Sequence, residues 1–264
     1  MRGLHKSRET SRGAAVRAVF LDTPIDVLTL QETLEAAVES MRSRRRVRHV
    51  AMNVAKLVKM RSDPVLRGDV LRSDIIGIDG FGIVLGARLQ GIPVSERVAG
   101  VDLMENLLAR CAQEGFRPYF LGAREDVLAK AMAVARERYP GLVFAGARNG
   151  YFAPGEESKI VAQINASGAD CLFLGMPTPQ KERFLAAHAD ALAPPFLMGV
   201  GGSFDVLAGK VTRAPEIMQR LGLEWLHRLL QEPRRMAWRY FSTNAVFAVL
   251  LLEAIVGRYS GRVS

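Results

Sequence analysis

The chain has 264 residues, 49% hydrophobic and 24% charged, a balance that can bury a sizeable core and excludes a disordered or low-complexity protein. That length suits one large domain, or one domain with an appendage. A net charge of +9 and a pI of about 10.0 require an anionic partner: nucleic acid, an anionic membrane surface or a phosphorylated substrate.

Residues 1–16 are basic and Ser/Gly-rich, without the apolar stretch of a secretory signal, and are expected to be a disordered, cytosolic N-terminus. An apolar run over 16–22 predicts a strand, and Leu30, Leu34, Ala37, Val38 and Met41 give helical spacing over 28–41, ahead of a basic loop. Residues 47–52 read as a second strand. Asn53 is a natural N-cap for a helix over 54–60, and Asp63-Pro64 opens another short helix. A strand over 74–79, a helix over 81–89, an irregular loop to Gly100 and an amphipathic helix over 101–114, with Asp102 in its first turn, come next. The rhythm then becomes regular: strands at 118–121, 143–145, 170–174 and 196–200, with helices at 125–139, 156–166 and 180–192 between them. This alternation predicts an α/β, Rossmann-like domain over 17–210, a mainly parallel sheet flanked by helices. From Val211 the strand signals vanish and arginines cluster. Residues 211–264 read as a helical, Arg-rich appendage with helices at 217–230 and 234–256, broken at Pro233. Cys111 and Cys171, one in a predicted helix and one in a predicted strand, fit reduced thiols of a cytosolic protein.

Asp79 closes the apolar run Ile75-Ile76-Gly77-Ile78 and precedes Gly80-Phe81-Gly82, so its carboxylate is expected at a strand's C-terminal end, where open α/β sheets keep their chemistry. Two other segments share this grammar: the strand ending in Gly175, which runs into Met176-Pro177-Thr178-Pro179-Gln180-Lys181-Glu182, and the strand before Gly201-Gly202-Ser203-Phe204-Asp205. A carboxylate partly withdrawn from water has a pKa suited to taking a hydroxyl proton, which makes Asp79 a general-base candidate; an N-cap for the next helix is the equal alternative. Asn53 leans toward capping, and Gln180 equally suits a solvent-facing first turn. Arg97, in the loop Ser95-Glu96-Arg97-Val98-Ala99-Gly100, reads either as a bidentate grip on phosphate or sugar oxygens or as a surface ion pair. Gly201 and Gly202 follow a strand and could present backbone N–H groups to phosphate, although the segment is neither a P-loop nor a GxGxxG fingerprint.

The four histidines, His5, His49, His188 and His227, lack zinc-ligand spacing, and no Asp-x-Asp pair is present, so a site without metal or cofactor is expected. In the appendage, Arg213, Arg220, Arg228, Arg234, Arg235 and Arg239 are interleaved with Trp225, Trp238, Tyr240 and Phe241. That pattern suits a membrane interface, with rings at headgroup depth and arginines on lipid phosphates; the alternative is a helix pair packed on the domain. The apolar stretch 241–256 is shorter than the ~20 residues needed to span a bilayer, so it is expected to be interfacial. Two rival functions stand beside general-base catalysis at the strand ends. An oxidoreductase would need the missing GxGxxG fingerprint; a non-enzymatic nucleic-acid or membrane-binding module is motivated by the +9 charge, but the core aromatics do not form the stacking platform that nucleic acid would need.

Taken together, these segments resemble the WecG/TagA/CpsF glycosyltransferases, glycosyltransferase family 26, over about residues 19–240. The carriers are Ile78-Asp79-Gly80-Phe81-Gly82, Glu96-Arg97-Val98-Ala99-Gly100-Val101-Asp102, Gly150-Tyr151-Phe152, the blocks from Gly175 to Glu182 and from Gly199 to Asp205, Arg213-Ala214-Pro215, and the block from Gly222 to Arg235. The resemblance implies an inverting, metal-independent, cofactor-free hexosyltransferase. Its donor would be a UDP-sugar carrying N-acetylmannosamine, its uronic acid or glucose. Its acceptor would be a polyprenyl-diphosphate-linked saccharide of bacterial cell-surface polysaccharide synthesis, met at the cytoplasmic face of the inner membrane by a peripheral enzyme, with homo-oligomers left open and no nucleic-acid partner. By motif matching, Asp79 corresponds to the proposed base, and Asn53, Arg97, Asp102 and Gln180 to the substrate pocket. The resemblance also puts Arg228, Arg235 and Arg239 over the diphosphate, where the backbone N–H groups of Gly201 and Gly202 would help to meet the charge on the departing UDP. The chain departs from the family pattern at Ala51, where a threonine is common, and at Pro-Thr-Pro-Gln-Lys-Glu, where Pro-Lys-Gln-Glu is commoner.

Overall fold

Residues 16–231 and 233–259 are described by the computed structural model; the expectations for residues 1–15 and for the side chains of Arg228, Arg235 and Arg239 fall outside the described residues. A hairpin of β1 (Val16–Phe20) and β2 (Thr23–Val27) comes first, then α1 (Leu30–Ser43), β3 (Val47–Met52), α2 (Val54–Ser62), α3 (Pro64–Leu71) and β4 (Ile75–Ile78). Next are α4 (Phe81–Leu89), α5 (Gly100–Glu114), β5 (Pro118–Gly122), α6 (Glu125–Arg138), β6 (Gly146–Arg148), α7 (Glu157–Ala166), β7 (Cys171–Gly175), α8 (Gln180–His188) and β8 (Phe196–Gly199). The chain ends in α9 (Ser203–Leu207), α10 (Glu216–Arg220), α11 (Glu224–Gln231) and α12 (Pro233–Tyr259).

Local chemistry sets these boundaries. Thr29 and Glu32 form a reciprocal capping box at the start of α1, Asn53 Oδ1 accepts the Lys56 N–H at 3.0 Å, and Asp63 Oδ1 accepts the Leu66 N–H at 2.9 Å behind Pro64. Three elements differ from the sequence reading. Residues 23–27 form a second hairpin strand, because Leu21 and Asp22 take positive φ and reverse the chain after β1. The sixth strand in chain order lies three residues beyond its apolar signal: Leu142 is buried in the core, whereas pairing falls on Gly146, where an added Cβ would lie 2.6 Å from the Tyr119 ring. The helix expected over 217–230 is split at Gly222, whose φ of +72° favours glycine and whose would-be Cβ lies 2.3 Å from Phe81.

The central sheet is wholly parallel, in the order β4-β3-β8-β7-β5-β6, as the alternating pattern predicts. On one face Phe120, Phe173, Phe196 and Met198 pack beneath α1, α5, α6 and α9, with the Phe120 and Phe204 rings stacked at 4.3 Å. The other face carries two clusters, one under α7 and α8 and one under α2, α3, α4 and the hairpin. The hairpin also closes the sheet. Asp26 accepts the Ile76 N–H of β4 at 2.6 Å and is held by Arg17 at 2.8 Å, so the outer edge of β4 is covered rather than left open to pairing. α12 packs on α2, and its Phe247 meets Phe20 with ring centroids 6.3 Å apart, over Gly82 and Gly86 of α4. Phe241, Val249, Leu252 and Val256 point outward from the same helix. Among the described residues, no helix is long and apolar enough to cross a membrane. Cys111 and Cys171 are free thiols buried in one cluster, sulfurs 3.8 Å apart.

His49 of β3 is fully buried, against Phe196 on one side and over Gly77, where a Cβ would lie 2.8 Å from Nε2. Neither ring nitrogen has a hydrogen-bond partner among the described residues. Burial first, and the Lys56 charge second, lower its pKa from 6.5 to about 4. The unfolded chain therefore binds the proton more readily, and stability present above pH 6.5 is lost as pH falls toward 4. We expect this imidazole to cost the fold about 2 kcal/mol between pH 7 and pH 5. His49→Leu should flatten that loss and raise stability at pH 7, as read by urea unfolding at the two pH values.

Candidate active site

Because all six strands run parallel, their C-terminal ends open on one edge of the sheet. At that edge the N–H groups of Asp79 and Gly80 both donate to Met52 O, at 2.9 and 3.2 Å, which sets the end of β4 beside Asn53 at the end of β3. Gly80 permits this approach: an added Cβ would lie 3.0 Å from Asn53 Cα. The N-cap position of α4 belongs to Gly80, without a side-chain bond, so the capping alternative for Asp79 falls away there. Instead Asp79 Oδ1 accepts the N–H of Gly100, the first residue of α5, at 3.4 Å.

Arg97 is brought to the same place by its neighbour, since the Val98 N–H donates to Ile78 O at 2.8 Å. Its guanidinium donates to Glu224 Oε2 of α11 at 2.7 Å, with both side chains largely buried, so the pair is more than a surface contact. Asp79 is half-buried, and its pKa is raised, chiefly by desolvation. Arg97 pulls it down, Glu224 pushes it up, and the Gly100 hydrogen bond and the Lys56 charge lower it, without overcoming burial. Asp102 meets Arg213, whose Nη2 donates to Oδ2 at 2.6 Å. These two ion pairs join the residues after 211 to the sheet edge: Arg97 with Glu224, and Asp102 with Arg213.

The remaining predicted positions are arranged differently. The Asn53 oxygen is committed to capping α2, which makes its amide NH2 the donor it can offer a ligand. Gln180 is exposed at the start of α8 and is not gathered against Asp79; β7 lies three strand steps from β4, roughly 14 Å. Gly201 adopts φ +56°, and its N–H is turned inward to Leu174 O at 3.2 Å, so this amide shapes the turn rather than facing a ligand. Sequence reasoning missed a buried ionic cluster between α2 and α8. Glu182 Oε1 receives Lys56 Nζ at 2.8 Å, Lys181 Nζ at 3.0 Å and Thr178 Oγ1 at 3.1 Å, while Lys56 also donates to Ala51 O at 2.7 Å. Burial alone would raise the Glu182 pKa, but the two ammonium groups and their hydrogen bonds outweigh it and bring the value down to about 2. No group of three or more His, Cys, Asp or Glu side chains able to hold a metal ion occurs among the described residues.

A parallel, Rossmann-like sheet with a half-buried acid and a guanidinium side by side on its C-terminal edge has the groups for proton transfer and anion binding in one place. The model of the glycosyl transferase WecG/TagA/CpsF family matches residues 18–261, and the chain belongs to that family. It is accordingly a glycosyltransferase of cell-surface polysaccharide synthesis, a class that joins a nucleotide-sugar donor to a lipid-linked acceptor, rather than an oxidoreductase.

Proposed function

We propose that the protein transfers a hexosyl residue, N-acetylmannosamine, its uronic acid or glucose, from a UDP-sugar to a polyprenyl-diphosphate-linked saccharide, with inversion and without a metal ion. The observation that carries this reading is the half-buried Asp79 carboxylate, its pKa raised by burial, next to Arg97 at the sheet edge. An acceptor hydroxyl attacks the anomeric carbon, the bond from that carbon to the diphosphate oxygen breaks, and Asp79 takes the hydroxyl proton. One carboxylate on the face opposite the leaving group suffices for inversion. The expelled UDP gains negative charge, which guanidinium groups in a partly dry pocket meet: Arg97, once a substrate anion replaces Glu224, and Arg228, Arg235 and Arg239 from the appendage. Asn53, Asp102, Gln180, Gly201 and Gly202 complete the pocket in this reading, Asp102 by holding Arg213 and Gly201 by shaping the turn before Gly202. The outward apolar side chains of α12, with the arginines preceding them, support docking of a peripheral enzyme on an anionic inner-membrane surface.

The test is transfer itself. Incubation with a panel of UDP-sugars and a short-chain lipid diphosphate saccharide should give one product heavier by a hexosyl unit, of inverted anomeric configuration by NMR, at a rate that EDTA leaves unchanged. Loss of turnover in EDTA with recovery in magnesium overturns the metal-free reading, and retained configuration overturns the single-base reading.

A further inference from the structure

Between α4 and α10 lies a cleft of about 420 Å3 whose lining includes Phe81 and Val84 on the α4 side, Gln219 and Arg220 on the α10 side, and Arg97 at the site end. Exposed apolar side chains stand on both bounding segments. Phe81, Leu85 and Leu89 recur every four residues along one face of α4, and Ile217 and Leu221 belong to the α10 segment opposite; all five are between 39% and 72% exposed. Gly222 brings the two walls together, since its would-be Cβ lies 2.3 Å from the Phe81 ring. Phe81 lines the cleft itself, and with Leu85, Leu89, Ile217 and Leu221 exposed on the two bounding segments the apolar surface exceeds the scattered exposure of an ordinary protein and marks a binding face. The polar lining carries Arg88, Arg97 and Arg220 with Glu96 and Glu216, and Arg97 is paired with Glu224 from α11. Arg88 donates to the carbonyl oxygens of Val94 and Ser95 at 2.7 and 2.6 Å, so those bonds leave its charge uncancelled, whereas Arg220 pairs with Glu216.

We propose that this cleft seats the first isoprenoid units of the acceptor's lipid chain, which cross Phe81 and run along Leu85 and Leu89 between α4 and α10. The inference rests on the glycosyl-transfer reading and adds the path of the lipid. Phe81 is two residues from Asp79, so the start of α4 offers a way out for the tail of an acceptor whose hydroxyl lies at that carboxylate. An amphiphile with an anionic head and an apolar tail suits a cleft that has guanidinium groups in its lining and exposed apolar side chains on the helices beside it.

The test compares acceptors that carry the same saccharide diphosphate on a long isoprenoid chain or on a short water-soluble one, in detergent solution. Leu85→Glu and Leu89→Glu should each raise KM for the long-chain acceptor about tenfold, the loss expected of one buried leucine contact, and leave kcat, donor KM and short-chain KM unchanged; Leu85→Met should behave as wild type. An unchanged long-chain KM, or equal losses with both acceptors, overturns the proposal. So does a wild-type oligomer that Leu89→Glu dissociates, which would identify the face as a contact between copies. A benzophenone-bearing isoprenyl diphosphate supplies a readout without turnover: crosslinks in α4 and α10 support the path, and crosslinks confined elsewhere overturn it. If wild type gives no transfer from any UDP-sugar while α4 is still labelled, the reaction proposed above fails and the lipid site stands.

Discussion

Asp79→Asn should lower kcat by about 10³-fold or more, within or beyond the usual loss for a missing general base, while UDP binding and the fold persist. Asparagine keeps the shape and can still meet the Gly100 N–H, but it cannot take a proton from the acceptor hydroxyl. Because desolvation already disfavours the ionised form of Asp79, the neutral replacement should not destabilise the protein. The pH profile supplies the mechanistic check. With a folded-state pKa above the ordinary carboxylate value, the acid limb of kcat/KM should fall at a higher pH than a surface aspartate would give, since the base must be ionised to act. In Asp79→Asn the residual activity should lose that limb. Turnover within a few-fold of wild type, or an unmoved limb, removes Asp79 from the base role.

The parts of this fold that depend on local pattern were legible in the sequence. Alternation of strands and helices is a short-range signal, and α4, β3 and the caps at Asn53 and Asp63 fall where periodicity and capping chemistry put them. The position of Asp79 at a strand end was legible for the same reason. What stayed hidden depends on distant partners. Arg97 and Glu224 are 127 residues apart, and nothing near Glu224 distinguishes it from the other acids opposing the appendage arginines. The inward turn of the Gly201 N–H is a consequence of strand order, because β8 lies beside β7 and Leu174 presents its carbonyl there. Lys56 did leave a trace: it shares the core-facing side of α2 with Leu57 and Met60, a position where a lysine is costly unless paired. Its partner, Glu182, sits on another helix, so the trace pointed to a buried charge without naming the acid.

That buried charge leads to the largest expected effect on stability. Glu182→Ala should cost about 3–5 kcal/mol in urea or thermal unfolding, because it leaves the ammonium groups of Lys56 and Lys181 desolvated without their carboxylate. The proton linkage gives a similar size independently. A glutamate held at about 2 in the fold and near 4.5 when unfolded stabilises the protein above pH 4.5, by about 3 kcal/mol, and loses that contribution as pH falls through 2. The other carboxylate oxygen, Oε2, is buried with no hydrogen-bond partner among the described residues, so the cluster is not an optimal stabilising device. Replacing Lys56, Lys181 and Glu182 together by methionine should therefore recover most of the stability, since buried ion clusters often exchange for apolar groups at little net cost. The triple variant then separates folding from positioning. Lys56 bonds the carbonyl two residues before Asn53, while Lys181 and Glu182 form the first turn behind Gln180, so under the proposed function the cluster would tie together two edges of the pocket. If those ties set the pocket's width, the triple variant should fold as well as wild type and still show a raised donor KM. A wild-type KM in that protein would confine the cluster to stability.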